Sequence, residues 1–131
     1  MSNTDKHKIS FDFDDTLSNV TVQRYAHMFV KSGHDVHIVT SRMSVERSGN
    51  PNWNDDLFLV ADSVGISRDN IHFCNLKPKD KFFQDHNDFL FHLDDDSGDV
   101  GIINNNTDVK GVLFVDTHDN SVIKSLINMM K

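Results

Sequence analysis

The sequence predicts an α/β fold, a Rossmann-like, doubly wound, five-stranded parallel sheet with helices on both faces. Three observations predict it. Short apolar strand signals alternate with helical ones along the whole chain, which is the pattern of a parallel sheet. Two of the strands run straight into carboxylates: Asp12-Phe13-Asp14-Asp15 follows the first, and Asp94-Asp95-Asp96 follows the fourth, with Asp99 a turn later. In open parallel sheets ligands bind beyond the carboxyl ends of the strands, so two acidic strand ends can converge there. The 131 residues read as a single domain, enough for one core and too few for two.

The elements follow in order. The first strand spans about Lys8 to Phe13, and a polar turn leads to a helix near Thr21 to Ser32 that Gly33 stops. A second strand, Asp35 to Thr40, enters a polar stretch from Ser41 to Asn52 in which Gly49, Asn50 and Pro51 break regular structure. Trp53, Leu57, Val60, Ala61 and Val64 recur at helical spacing, predicting a helix from Trp53 to Val64 that Gly65 caps. Ile71 to Cys74 is the third strand, Asp80 to Asn87 a short helix, and Phe89 to Leu93 the fourth strand. Asn104 to Asn106 reads as a helix end and turn, Gly111 to Val115 as the fifth strand, and Asn120 to Met130 as the last helix, with Met129 and Met130 packing inward.

Composition narrows the function. A net charge of −7 leaves no basic stripe, and Lys77, Lys79 and Lys81 form the one dense positive patch, which argues against an extended nucleic-acid-binding surface. The single cysteine, Cys74, excludes an internal disulfide and reads as a structural thiol in a reducing compartment. Met1 to Lys6 lack an apolar signal core, and no apolar run approaches the ~18 residues that span a bilayer, so the expected location is cytoplasmic, with no membrane partner. The eight histidines show no paired metal-ligand spacing, and His37, His72 and His92 fall in predicted strands.

The two acidic strand ends carry the chemistry. Carboxylates this close repel one another unless a cation or strong donors neutralise them. Carboxylates from two strands, completed by water, make the oxygen-rich shell that Mg²⁺ accepts.

With these residues in this order the chain resembles the haloacid dehalogenase superfamily of Mg²⁺-dependent phosphohydrolases over nearly its whole length. Asp12-Phe13-Asp14-Asp15-Thr16 is similar to the family's Asp-x-Asp-x-Thr, and Val36-His37-Ile38-Val39-Thr40 to its apolar strand ending in a hydroxyl residue. A lysine follows before the fourth strand, and Asp94-Asp95 with Asp99 is similar to the acidic fourth motif. The resemblance implies a phosphoric monoester hydrolase in which Asp12 is the nucleophile and Asp14 the general acid and base. It implies Thr40 as a phosphate contact and Lys79 as the charge-balancing lysine, three residues before the pair Phe82-Phe83; Lys77 and Lys81 remain open. Mg²⁺ would be held by Asp12, the backbone carbonyl of Asp14 and Asp94, with Asp95 holding a metal-bound water, although three consecutive aspartates leave that register open. Asp96 and Asp99 serve more simply as the start of the next helix.

The resemblance also implies the strand order 3-2-1-4-5 and, because neither gap between motifs has room for one, no cap domain. The resemblance therefore implies an open site, a form used for bulky substrates or by homo-oligomers in which a neighbour closes the opening. The expected partner is a phosphorylated substrate: a nucleotide, a nucleic-acid end or another phosphomonoester. Ser41 and Arg42 follow the second motif much as in the 3′-phosphatase domains of polynucleotide kinases, with a looser likeness to 5′-nucleotidases, and are the candidate substrate-binding residues on a rim formed by Ser41 to Asn52. Two rival readings exist. A receiver domain also carries an acidic pair, a hydroxyl residue and a lysine, but its phosphorylated aspartate ends the third strand, where this chain has Phe73-Cys74-Asn75. A non-catalytic scaffold would have no need of Asp14.

Overall fold

The computed structural model describes residues 6–131, so the expectation about the polar N-terminal residues 1–5 lies outside the described residues. The strands are β1 (Lys8–Phe11), β2 (Asp35–Thr40), β3 (Ile71–Phe73), β4 (Phe91–Asp94) and β5 (Lys110–Leu113). The helices are α1 (Val20–Lys31), α2 (Val45–Ser48), α3 (Asp55–Val64), α4 (Asp80–Asp85), α5 (Ser97–Asn106) and α6 (Ser121–Met129). The strands form one parallel sheet in the order β3-β2-β1-β4-β5. Among the described residues no cap interrupts it: Asp12 and Thr40 are separated by a coil turn and α1, and Thr40 and Lys79 by α2, α3, a single 3-10 turn and β3.

Strand alternation divides the core in two. Ile9 and Phe11 of β1 point to the face covered by α1, α3 and α6, where they meet Val22, Phe29, Leu57 and Leu126. Phe11 stacks on Phe29 and meets Phe91 edge-on, burying large rings at the centre of the sheet. Val39 points the other way, to a smaller cluster of Phe83, Phe89, Ile103 and Val109 around α4 and α5. Met130 is buried beneath α6 and Met129 packs at its edge, as the sequence implied. Gly33 and Gly65 close α1 and α3 at φ +91° and +97°, a left-handed conformation that favours glycine.

Several boundaries shift for local reasons. β1 ends at Phe11, although the Asp12 N–H still reaches the Leu93 carbonyl of β4 at 2.8 Å, because the chain then coils through wide bonds from Leu17 N–H to Asp12 O and Ser18 N–H to Phe13 O. The stretch expected to be irregular contains the single turn α2, capped by the Ser44 hydroxyl. Trp53 does not join the apolar face of α3; it precedes the helix and is 44% exposed, while Asn54, the residue beside it, is fully buried. β4 begins at Phe91, although the Leu90 N–H already reaches the Lys8 carbonyl of β1. No helix among the described residues is long and apolar enough to cross a membrane.

Candidate active site

Register brings the acidic strand ends together. Phe11 lies opposite Leu93 in β4 and Ile38 in β2, so Asp12, the next residue, emerges beside Asp94 and close to Thr40. The opening above them is a cavity of about 190 Å³ lined by Asp12, Asp14, Asp15, Thr40, Ser41, Lys79, Asp94, Asp95, Asp96 and Asp99. Seven aspartates therefore face one lysine.

That lysine is Lys79, at the N-terminus of α4. Its side chain is 1% exposed, and Nζ donates to Asp12 Oδ1 at 2.8 Å and to Asp94 Oδ2, with Asp99 Oδ2 at 3.6 Å. α4 is fixed behind it by the buried Asp80, whose Oδ2 accepts from Asn106 Nδ2 at 2.9 Å. Lys77 and Lys81 line a different groove beside Phe82 and His86, so of the three candidate lysines only Lys79 reaches the carboxylates. Burial works against its charge, yet Asp12 and Asp94 together hold the ammonium above its ordinary value.

Asp12 and Asp94 answer differently to the same enclosure. Burial, aided by the Asp94 charge, lifts the Asp12 carboxyl to about 8 in spite of Lys79. Burial also opposes ionisation of Asp94, but hydrogen bonds from His92 and Lys79 outweigh it and hold that carboxyl below the usual range. His92, fully buried, is pushed down to about 4 chiefly by burial, so it is a neutral imidazole. One tautomer then fits its neighbours: Nε2–H donates to Asp94 Oδ2 at 2.8 Å, and the Ser10 hydroxyl donates to Nδ1 at 2.8 Å. The remaining oxygen, Asp94 Oδ1, accepts the Asp96 N–H at 3.0 Å.

Sequence reasoning did not pick out Ser10 and His92 as a support for Asp94. The signal was present, because both are polar residues in otherwise apolar strands and they pair directly across β1 and β4.

The other expected residues take these places. Asp95 is exposed, its Oδ1 accepting from the buried Thr16 hydroxyl at 3.3 Å. Asp12, Asp94 and Asp95 each offer an oxygen within 4.8 Å of the others, a spacing that suits one cation. Asp96 caps α5 through the N–H groups of Gly98 and Asp99. Thr40 is buried, with its Oγ1 accepting the Arg42 N–H at 3.2 Å. Asp14 sits at the mouth, held by Arg42 Nη2 at 2.7 Å. Cys74 follows β3, half-buried, and burial pushes its thiol up to about 11, which disfavours the thiolate.

The chemistry of the donor set fits a hard divalent cation. All nearby ligands are oxygens, the negative charge exceeds what Lys79 balances, and Asp12 resists ionisation without further positive charge. No family model matches the chain, and no curated protein matches it.

Proposed function

We propose that the protein is a Mg²⁺-dependent phosphatase of the haloacid dehalogenase type, hydrolysing a phosphomonoester through an aspartyl phosphate on Asp12. The observation that carries this reading is the convergence of Asp12, Asp14, Thr40, Lys79, Asp94 and Asp95 on one cavity at the carboxyl ends of β1, β2 and β4. Those are the residue types that in-line phosphoryl transfer needs: a carboxylate nucleophile, a second carboxyl to move the proton, and positive charge to offset the crowding of anions.

In this mechanism an oxygen of Asp12 attacks phosphorus as the ester P–O bond breaks, and Asp14 gives its proton to the leaving oxygen. Asp14 then takes a proton from water, whose oxygen attacks phosphorus and releases inorganic phosphate and the Asp12 carboxylate. The ammonium of Lys79 offsets charge between Asp12 and the phosphoryl group, and the Thr40 hydroxyl donates to a non-bridging oxygen. Mg²⁺ bound by Asp12, the Asp14 carbonyl and the fourth-motif aspartates would supply Lewis-acid stabilisation of the phosphoryl charge.

Between the two fourth-motif candidates, occupancy favours Asp95 for direct ligation. Both oxygens of Asp94 are engaged by Lys79, His92 and the Asp96 N–H, whereas Asp95 has one long hydrogen bond. Asp94 on this reading anchors Lys79. The substrate is a phosphomonoester, and the protein acts without a membrane partner in a reducing, cytoplasmic setting.

The test is turnover of an aryl phosphate with Mg²⁺ by the purified chain. Activity that needs Mg²⁺ and disappears in Asp12→Asn supports the proposal. A folded protein without turnover across a panel of phosphorylated metabolites and phosphorylated oligonucleotides favours the scaffold reading.

A further inference from the structure

Arg42, placed by the sequence on the substrate-facing rim, has no donor left for a substrate. Its Nε and Nη2 reach the two oxygens of Asp14 at 2.9 and 2.7 Å. Nη1 and Nη2 reach the two oxygens of Asp56, in the first turn of α3, at 2.8 and 2.9 Å. A further Nη1 contact runs to Asn54 Oδ1 at 3.5 Å. These five contacts match the five N–H groups of a guanidinium, arranged as two forks.

The surroundings hold the guanidinium still. Asn54 is fully buried and donates its amide to the Met43 carbonyl at 3.0 Å, so the anchor on the α3 side is itself fixed. The Phe13 ring lies 4.9 Å from the guanidinium carbon. The side chain of Arg42 is 18% exposed, against 56% for Asp14. A half-buried, fully committed cation thus grips both oxygens of an exposed carboxylate at the mouth of the cavity.

We infer that Arg42 is a positioning residue: anchored by Asp56 and Asn54, it fixes the Asp14 carboxyl at the mouth of the cavity and does not bind the substrate. The inference rests on the phosphatase reading above, in which Asp14 moves the proton. It explains why an arginine is suited to the position. A lysine would present a point charge to one carboxylate and could not bridge Asp14 and Asp56 with parallel pairs. It also gives α3 a part in the site, because the helix start supplies the far side of the clamp.

The experiment is a double-mutant cycle on turnover of phenyl phosphate with Mg²⁺, using Arg42→Ala, Asp56→Asn, Asp14→Ala and the two double variants, with Asp12→Asn as the control. Arg42→Ala should lower kcat by about 10²-fold with KM changed less than about twofold, the order expected when a catalytic group is misplaced by ~1 Å. Asp56→Asn should lower kcat by about 10-fold. In the Asp14→Ala background neither substitution should lower the residual kcat by more than about twofold, because both act through Asp14.

A rise in KM, or a loss that persists in full without Asp14, would assign Arg42 to the substrate and overturn the clamp while leaving the phosphatase reading intact. Absence of Asp12-dependent turnover in the wild type would overturn both. Should Arg42→Ala fail to fold, Asp56→Asn carries the same cycle, since the Asp56 side chain is 62% exposed and its replacement is tolerated by the helix start.

Discussion

Replacing Lys79 with methionine tests how the acidic cluster is held together. Methionine nearly matches the stem of the lysine in volume, so the substitution removes charge from a side chain that is 1% exposed and leaves the packing of α4 in place. Breaking a buried ion pair by deleting one partner costs roughly 3–5 kcal/mol, because the other charge stays buried without compensation. The low end applies here, since burial already favours the neutral form of the Asp12 carboxyl, which can take up a proton instead of remaining charged. For 131 residues, at about 2.1 cal/mol/K per residue, the unfolding entropy is ~0.28 kcal/mol/K, so a loss of about 3 kcal/mol lowers Tm by ~11 °C. The assay is thermal unfolding followed by circular dichroism in excess chelator. Added Mg²⁺ should recover part of the loss by replacing the missing positive charge. An unfolding midpoint within about 2 °C of wild type in chelator would refute the claim that Lys79 neutralises the cluster.

Three further outcomes are expected. Asp95→Asn should weaken Mg²⁺ binding in titration calorimetry while leaving Tm in chelator close to wild type, whereas Asp94→Asn, which loosens Lys79 and His92, should lower Tm by several degrees; the reverse pattern would make Asp94 the direct ligand. His72 is pushed down to about 4 from 6.5, mainly by burial and then by His37 and His86, so the unfolded chain takes its proton first. Its stability contribution is therefore complete above about pH 6.5 and is lost as pH falls towards 4, a fall of ~1–3 kcal/mol after allowance for its partial exposure, and His72→Gln should flatten that limb of a urea-denaturation profile. Leu76 is held at φ +67° with its side chain exposed, so Leu76→Gly should leave stability unchanged or raise it by up to about 1 kcal/mol, while Leu76→Val should lower it; equal losses for both would show that the leucine side chain contributes packing.

The sheet was legible because its code is local and repeated. Apolar runs bounded by Asp, Gly and Asn mark the strands, and the right-handed crossover between successive parallel strands leaves few ways to order them. Asp12, Thr40 and Asp94 were legible for the same reason, since each stands at the end of a strand that the pattern had already placed, whereas Lys79 was chosen only through the family resemblance, with Lys77 and Lys81 left open. The strand limits were less so, because Phe13 and Phe89 extend the apolar runs, yet the chain already coils after Asp12 and β4 begins only at Phe91.

The partners of Arg42 were out of reach for a different reason. Asp56 lies fourteen residues away, and Asn54 reads as an ordinary helix start until its burial is seen. A guanidinium that joins two elements has no periodicity and leaves no trace in spacing. The Ser10–His92–Asp94 relay stands between these cases: its members occupy paired positions in adjacent strands, so it becomes visible once β1 and β4 are set side by side.

As the proposed nucleophile, Asp12 becomes phosphorylated during turnover. The most direct measurement is to mix the protein with Mg²⁺ and an aryl phosphate, quench with borohydride so that an aspartyl phosphate is reduced to homoserine, and map the altered residue by mass spectrometry. Homoserine is expected at position 12 in the wild type and none in Asp12→Asn. Turnover without modification at Asp12, or modification at Asp14, Asp94 or Asp95 instead, would contradict it.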